Sequence, residues 1–431
     1  MTDIIGKIHE FNKFGSVLGL ERMETLMEKL GDPQEELDVI HVAGTNGKGS
    51  VCKFLEAGLA ECGYSVGLFT SPFIESFNER IQLGGENISD SDLEAYGNRV
   101  LAAAAEMVAE GSESPTEFEV VTAIGLLYFA EKDADIVILE VGLGGRGDST
   151  NIIDKPLICA ICSISYDHMN VLGNTLAEIA AEKAGIIKPA VPVVSNVSDR
   201  DAAAVIARTA YEKGCRLYDV SRIRAGVSHE TPFSQTVTLE MYGTDYSDVE
   251  LSMAGRHQVE NLKTALAVIE VLRKERAIKV ERQALYRGLK KAVQPGRFEI
   301  LGEDPVIIVD GAHNEAGAKA LYDTMKRHFE GSRILLVTGM LADKAVNDIL
   351  HSLIGITKDI IVTEPDNPRK MKAEELAERL KSMGVEPDVA PSPEDSLALA
   401  ESRKNCCDVI LFAGSLYLIS DIRRMIKDGG R

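Results

Sequence analysis

One stretch decides the fold: Ile40-His41-Val42-Ala43-Gly44-Thr45-Asn46-Gly47-Lys48-Gly49-Ser50. It begins as an apolar strand over 38–43, turns at its glycines and continues as a helix over 50–62. Glycines bring backbone N–H groups close to an anion, the helix adds its positive end, and Lys48 adds a mobile cation. The stretch therefore predicts a phosphate-binding loop formed by Gly44, Thr45, Asn46, Gly47, Lys48, Gly49 and Ser50.

This loop differs from the strict pattern G-x-x-x-x-G-K-[ST] in two places. Val42 stands where the first glycine is required, and Gly49 stands where a hydroxyl residue would bind magnesium. A hydroxyl ligand for magnesium is therefore expected from elsewhere in the chain. The alternative is that the turn is only a tight connection between a strand and a helix.

The composition limits the class of partner. The chain has 431 residues, enough for two or three domains. Its 47 basic and 67 acidic residues give a net charge of −20, which disfavours binding to nucleic acid or to anionic membranes. A negatively charged substrate would need a local positive pocket.

The sequence also predicts a cytoplasmic protein. Met1–Phe11 lacks the apolar run of a signal peptide, and no later segment offers the ~20 apolar residues of a membrane span. The seven cysteines are scattered, and Cys159 and Cys162 lie within an apolar run. We expect neither redox nor metal use of this pair.

Three side chains that can bind a metal follow or end predicted strands, namely Ser71, Glu140 and His168. Because parallel strands end at one edge of a sheet, the three are expected close to the glycine turn. A strand-end acid after a phosphate loop is the usual partner of Mg²⁺. The alternatives are a plain turn residue for Ser71 and a structural role for His168. The predicted strands are Tyr64–Thr70, Asp135–Val141 and Leu157–Ser165.

Predicted strands and helices alternate along the N-terminal part of the chain. Over 217–254 short alternating stretches interrupt this order and predict antiparallel strands. Gln294–Arg297 breaks the chain and marks a domain boundary. A second alternation follows, in which Asp310 and His313 lie at a strand-to-helix corner, where open α/β sheets bind ligands. The predicted fold is α/β: a P-loop-like, mostly parallel N-terminal domain over 1–295 and a smaller Rossmann-like C-terminal domain over 296–431.

Seven motifs together resemble the folylpolyglutamate synthase and dihydrofolate synthase family, within the Mur ligase superfamily. The likeness covers nearly the full length. The motifs are Gly44–Ser50, Ser71-Pro72-Phe73, Leu139–Arg146, Asp167-His168, Glu182–Gly185, Gly296-Arg297-Phe298 and Asp310–Asn314.

The resemblance implies an ATP-dependent amide ligase that joins L-glutamate to a folate or to dihydropteroate through an acyl phosphate. It implies that the glycine loop, Asn261, Arg297 and Asp310 hold ATP, and that Lys48 and Arg297 stabilise the transferring phosphoryl group. His313 belongs to the same catalytic set without an assigned role.

The resemblance also implies the metal ligands. Ser71, Glu140 and His168 would bind Mg²⁺, and Lys183 would be carbamylated so that it too offers a carboxylate. As an unmodified residue, Lys183 can equally be a solvated lysine at the end of its helix. A monovalent cation such as K⁺ is a further expectation, and the partners are expected to be small molecules bound by a monomer.

Residues that match pterin-contacting segments of dihydrofolate synthases complete the predicted site. Two departures, Phe73 in place of a common histidine and Gly147 in place of a common leucine, leave the preferred acceptor open. The matching residues are Leu20, Glu21, Thr116, Glu117, Phe118, Glu119, Gly147, Asp148 and Ser149.

Two other functions compete with this interpretation. A cell-wall Mur ligase would need an additional N-terminal domain, yet only 43 residues precede Gly44. A regulatory protein that hydrolyses a nucleotide would not explain Arg297 and the set from Asp310 to Asn314. The sequence leaves open whether one or both folate activities are present and how long the polyglutamate chain grows.

Overall fold

The computed structural model describes residues 3–15, 17–342 and 346–429. The helices are α1 (Asp3–His9), α2 (Glu21–Lys29), α3 (Lys48–Glu61), α4 (Asp90–Ala109), α5 (Glu117–Glu131), α6 (Met169–Leu172), α7 (Leu176–Lys183), α8 (Arg200–Glu212), α9 (Arg256–Glu275), α10 (Arg282–Lys291), α11 (Glu315–Phe329), α12 (Val346–Ile356), α13 (Ala373–Ser382), α14 (Pro393–Ser402) and α15 (Leu416–Gly429).

The strands are β1 (Val39–Ala43), β2 (Val66–Phe69), β3 (Ile81–Leu83), β4 (Glu86–Asn87), β5 (Ile136–Glu140), β6 (Ile158–Ile161), β7 (Val193–Ser195), β8 (Leu217–Asp219), β9 (Ala225–Glu230), β10 (Gln235–Met241), β11 (Thr244–Leu251), β12 (Glu299–Glu303), β13 (Val306–Asp310), β14 (Ile334–Thr338), β15 (Ile360–Val362), β16 (Asp388–Val389) and β17 (Val409–Ala413).

The first sheet has the order β4-β3-β2-β5-β1-β6-β7-β8, with β1 between β5 and β6. Both neighbours run parallel to β1, and Val42 pairs with Glu140. The pairs β2–β3 and β3–β4 are antiparallel and close one edge. The glycine turn after β1 and the carboxylate that ends β5 therefore lie at one edge of the sheet.

Burial of both faces explains why the central strands are continuous apolar runs. Every residue of β1 and β5 is buried. One apolar core joins Val137 and Leu139 of β5 to α1, α2, α4 and α5. Another core joins Cys159 and Ile161 of β6 to α7 and α8. The two clusters hold the sheet between layers of helices.

The second sheet has the order β12-β13-β17-β14-β15-β16 and forms a smaller α/β domain. β12 is an antiparallel edge strand, and the other pairs are parallel. Between the two alternations, β9, β10 and β11 form a small separate sheet. The predicted fold class, with its mostly parallel N-terminal sheet and Rossmann-like C-terminal domain, is confirmed.

Contacts divide the chain into two compact units. The first contains Met1–Gly226, Thr238–Val249 and Glu260–Ala292, and the second contains Val227–Val237, Glu250–Val259 and Val293–Arg431. The outer limits of the predicted domains, residues 1 and 431, lie outside the described residues. None of the described helices has the length and apolar character that crossing a membrane requires.

Helices α3 and α10 meet at a glycine, and this contact can be tested. A Cβ added to Gly288 would lie 2.2 Å from the Ala57 carbonyl oxygen and 2.7 Å from Gly58 Cα. Because backbone atoms cannot move aside cheaply, Gly288→Ala should destabilise the protein by ~1–3 kcal/mol. The thermal unfolding midpoint should fall accordingly.

The matched control is Gly6→Ala, which also places alanine within a helix. A Cβ at Gly6 would meet nothing within 4 Å. Alanine is the better helix former, so this variant should be neutral or more stable by ~0.5–1 kcal/mol. Equal midpoints for the two variants would show that the close contact at Gly288 has no energetic weight.

Candidate functional site

The predicted phosphate loop is a turn that feeds directly into a long helix. Gly47, with φ 87°, is the N-cap of α3 and has no side-chain cap hydrogen bond. The first N–H groups of a helix have no partner within the helix, so they and the helix dipole favour an anion there. A Cβ at Gly47 would lie 2.2 Å from Asn261 Oδ1, so Asn261 on α9 contacts the turn. The structure thus places Asn261 beside the loop.

The segment after β6 supports this loop. Thr45 N donates to the Ser163 carbonyl (2.8 Å), and the Thr45 hydroxyl donates to the Ser165 carbonyl (3.1 Å). Asn46 Nδ2 donates to Ser165 Oγ (3.1 Å). Ser163 and Ser165 thus pair with the loop and not with the sheet. The strand predicted to run to Ser165 therefore ends at Ile161.

His168 consequently does not end a strand. It lies seven residues after Ile161, is the N-cap of α6 with φ 49°, and its side chain is 43% exposed. Its backbone N–H donates to Asp167 Oδ1 (2.9 Å). The prediction that Ser71, Glu140 and His168 each lie at the end of a strand is therefore wrong for His168.

Two lysines converge on one carbonyl oxygen at the start of the loop. Lys48 Nζ donates to Gly44 O (3.1 Å) and to Thr45 O (3.4 Å), and Lys183 Nζ donates to Gly44 O (2.9 Å). Lys183 is only 4% exposed, so its interpretation as a solvated lysine is wrong.

The environment of Lys183 favours a neutral amine. Burial, reinforced by the nearby charge of Lys48, lowers the pKa of Lys183 from 10.5 to about 7, against the opposing charge of Asp167. Near neutral pH a substantial fraction of this amine is therefore unprotonated. A neutral amine is nucleophilic, and an ordinary surface lysine rarely is at that pH.

Ser71 and Glu140 are neighbours at the sheet edge. Glu140 is 6% exposed, and Ser71 N donates to Glu140 Oε2 (3.4 Å). Within the described residues, no group of three or more His, Cys, Asp or Glu side chains is arranged to hold a metal ion. One carboxylate beside one serine nevertheless suits Mg²⁺, which keeps several waters and takes its other ligands from phosphate oxygens.

Helix α5 begins at a capping box formed by Thr116 and Glu119. Glu119 N donates to Thr116 Oγ1 (3.3 Å), and Thr116 N donates to Glu119 Oε2 (2.6 Å). Glu119 is 2% exposed. Glu117 Oε2 lies 3.0 Å from His9 Nδ1. A Cβ at Gly142 would lie 2.6 Å from Phe118 Cζ, so the ring of Phe118 covers the start of the loop after β5.

Asp148 holds this second loop together. It is 2% exposed and accepts hydrogen bonds from Leu143 N (2.8 Å), Thr150 N (3.0 Å) and Thr150 Oγ1 (2.5 Å). Burial raises the pKa of Asp148, while these donors oppose the rise. Thr150 Oγ1 also contacts His41 Nε2 of β1 (2.9 Å). Neither His41 nor Thr150 is among the residues predicted from the sequence, although a polar side chain inside the apolar strand β1 could have indicated such a contact.

The remaining acceptor residues adjoin this loop. Ser149 Oγ lies 3.2 Å from Thr122 Oγ1 of α5. Gly19 N donates to the Gly147 carbonyl (3.0 Å). Leu20 is the N-cap of α2, and Glu21 is its first residue. The structure therefore brings the three predicted acceptor segments, Leu20-Glu21, Thr116–Glu119 and Gly147–Ser149, into one neighbourhood.

In the second unit, two motifs interlock at the end of β13. Asp310 accepts hydrogen bonds from Phe298 N and Ala312 N, both at 2.8 Å. Arg297 Nη1 donates to the Gly311 carbonyl (3.2 Å), and His313 Nδ1 lies 2.8 Å from the same oxygen. Burial raises the pKa of Asp310, and the Arg297 charge opposes the rise. Arg297, Asp310 and His313 thus share one corner.

Two family models match the chain. The Mur ligase middle domain matches residues 42–269, and the Mur ligase glutamate ligase domain matches residues 296–416. A dihydrofolate synthase/folylpolyglutamate synthase of Bacillus subtilis is 41% identical over 424 residues, which cover 97% of each chain. The chain belongs to the dihydrofolate synthase/folylpolyglutamate synthase family of Mur ligases. Members of this family are ATP-dependent amide ligases.

Solved structures of this family agree in fold. The folylpolyglutamate synthase of Thermotoga maritima superposes with a TM-score of 0.87 at 35% identity, covering 99% of this chain and 97% of that one. FolC of Escherichia coli, solved in complex with DHPP and ADP, gives a TM-score of 0.88 at 29% identity and covers 99% and 98% of the two chains.

Lys48→Ala should abolish ligation and leave the fold intact. The lysine is only partly buried and bonds to two loop carbonyls, so it adds little to packing. Loss of a charge that stabilises the transferring phosphoryl group should cost ~3 kcal/mol or more, or ~10²-fold in turnover. Steady-state turnover and circular dichroism measure the two effects. Lys132→Ala, at an exposed position, is the control, and near-normal turnover of Lys48→Ala would rule out the phosphate-loop assignment.

Proposed function

We propose that this chain joins L-glutamate to the carboxyl group of a folate-type acceptor, either dihydropteroate or a reduced folate, at the expense of ATP. The observation that carries the proposal is the glycine turn at the amino end of α3, with Lys48 and Lys183 on the Gly44 carbonyl. Glu140 ends the neighbouring strand at the same edge. This arrangement suits the binding of a triphosphate beside a metal-binding carboxylate.

The chemistry explains why a ligase needs these parts. A carboxylate is a poor electrophile, so ATP first converts the acceptor carboxylate to an acyl phosphate. The glutamate amine then attacks the acyl carbon, and phosphate leaves. Lys48 would supply positive charge toward the transferring phosphoryl group, and the family resemblance implies the same role for Arg297.

We include metal ions in this proposal. Ser71 and Glu140 would hold Mg²⁺, and His168 and a carbamylated Lys183 would serve a second cation. Bound Mg²⁺ would neutralise charge on the phosphate oxygens. A monovalent cation such as K⁺ is proposed in addition.

The acceptor would contact the neighbourhood formed by Leu20-Glu21, Thr116–Glu119 and Gly147–Ser149. Nucleotide binding is proposed for domain 1–295, and Arg297, Asp310 and His313 would act from domain 296–431. That the protein is a monomer and that it lies in the cytoplasm stay predictions.

Release of ADP tests the proposed function. Purified protein with ATP and Mg²⁺ is assayed with and without glutamate, and with dihydropteroate or tetrahydrofolate as acceptor. A ligase releases ADP only when acceptor and glutamate are both present, and the faster acceptor identifies the main activity. Release of ADP that is independent of both would favour the competing regulatory hydrolase.

Lys183 should act as a carbamate. Carbon dioxide reacts with a neutral amine, which releases a proton, and the fraction of neutral Lys183 rises as pH rises through about 7. At constant dissolved carbon dioxide, the stimulation of activity by carbon dioxide should therefore fall as pH is lowered below 7. Lys183→Ala should be inactive, and acetate should partly restore its activity because it supplies the missing carboxylate.

Lys48→Ala is the control for this rescue, because acetate should not restore the activity of that variant. Wild-type activity of Lys183→Ala, or equal activation of both variants by acetate, would reject the carbamate.

Glu140→Gln should raise the magnesium concentration needed for half-maximal rate and lower turnover, because an amide oxygen carries no net charge. Ser71→Ala should have the same effect more mildly. Magnesium titrations of the initial rate measure both, with Glu131→Gln, at an exposed position, as the control. Wild-type magnesium dependence of Glu140→Gln and Ser71→Ala would disprove this site.

A further inference from the structure

Arg22 connects two segments that are far apart in the chain. It is 9% exposed and faces Glu119, which is 2% exposed. Arg22 Nε donates to Glu119 Oε2 (3.1 Å), and Arg22 Nη2 donates to Glu119 Oε1 (2.9 Å). The two bonds form a bidentate pair, the geometry that a guanidinium provides and an ammonium does not.

The same guanidinium fixes the chain that precedes α2. Arg22 Nη2 also donates to the Val17 carbonyl (2.9 Å), and Gly19 N donates to the Gly147 carbonyl (3.0 Å). A Cβ at Gly147 would lie 2.9 Å from Gly19 N and 3.0 Å from Leu18 Cβ. We call residues 17–20 the entrance segment. It is attached to α5 through Arg22 and lies directly on the loop after β5.

The entrance segment presents apolar side chains to solvent. Val17 is 48% exposed and Leu18 is 36% exposed, although the backbone behind them is held by hydrogen bonds. Exposed apolar groups on a fixed backbone are typical of a surface that receives an apolar or aromatic ligand. Gly147 lies in the loop after β5, seven residues beyond Glu140 at the phosphate edge, so this loop connects the entrance segment to that edge.

We propose that Arg22 is a positioning residue for the acceptor: by joining Val17 to Glu119, it holds the entrance segment in place beside Gly147. This inference rests on the proposed function and adds a determinant of acceptor affinity to it. Arg22 acts through the segment it holds and has no part in the phosphoryl transfer.

The test compares two cations on the same helix. Arg22→Met removes the link to the entrance segment. Lys29→Met, at the other end of α2, removes ion pairs to Glu106 of α4 and to Glu110, the C-cap of that helix, and leaves the entrance segment untouched. Steady-state constants are measured for the acceptor that the wild type uses faster, for ATP and for glutamate. Binding of that acceptor to the ADP-loaded protein is measured separately by fluorescence.

For Arg22→Met we expect the acceptor KM and its dissociation constant to rise at least tenfold. The KM values for ATP and glutamate, and kcat at saturating acceptor, should stay within about threefold. Lys29→Met should leave the acceptor constants at wild-type values. Arg22→Lys, which keeps the charge without the fork, should be intermediate, with a rise of at least threefold.

An unchanged acceptor KM in folded Arg22→Met, or an equal rise in Lys29→Met, would overturn the proposal. A parallel loss of affinity for all three substrates would also overturn it, because that pattern indicates general destabilisation. Removing one partner of a buried ion pair can prevent folding. If circular dichroism shows that Arg22→Met is unfolded, the acceptor KM of Arg22→Lys decides. An unchanged value would then overturn the proposal. Ligation by the wild type is measured in the same series, so failure of the proposed function is distinguished from failure of this inference.

Discussion

The site depends on the convergence of two lysines on the carbonyl oxygen of Gly44. Lys48 reaches this oxygen from the first turn of α3, and Lys183 reaches it from the end of α7. Burial of Lys183, reinforced by the nearby charge of Lys48, lowers the pKa of Lys183 to about 7. Lys183 therefore reaches the neutral form near neutral pH, which an exposed lysine rarely does.

The loop after β5 connects the phosphate edge to the proposed acceptor surface. It follows Glu140, the last residue of β5, is held together by Asp148 and Thr150, and is bonded to β1 through His41. The strand that carries the glycine turn therefore also supports the loop on which the acceptor is proposed to lie. Rigid support of this kind keeps reacting groups in register, which is a large part of the catalytic advantage in transfer reactions.

The parts of this structure that could be predicted from sequence have local signals. The glycine turn, the apolar strand β5 and the capping box of Thr116 and Glu119 are each set by residues within a few positions of one another. The order of motifs along the chain then identified the family. These features fix the fold class and the edge of the sheet where the site lies.

The parts that could not be predicted depend on contacts between distant residues. Lys183 meets a carbonyl 139 residues away, and Arg22 meets Glu119 across 97 residues. Nothing beside either residue in the sequence indicates its partner. His168 was misplaced because Ser163 and Ser165 use their hydrogen-bonding groups on the glycine loop, which ends the strand early. An apolar run alone does not reveal that competition.

The most direct test of the central claim follows an oxygen atom through the reaction. The acceptor is labelled with oxygen-18 in the carboxylate that receives glutamate, and the inorganic phosphate formed in one turnover is analysed by mass spectrometry. If the carboxylate is activated as an acyl phosphate, one labelled oxygen should appear in the phosphate for each amide bond formed. Unlabelled phosphate, whose fourth oxygen comes from water while the acceptor keeps its label, would contradict activation as an acyl phosphate and identify the chain as a hydrolase.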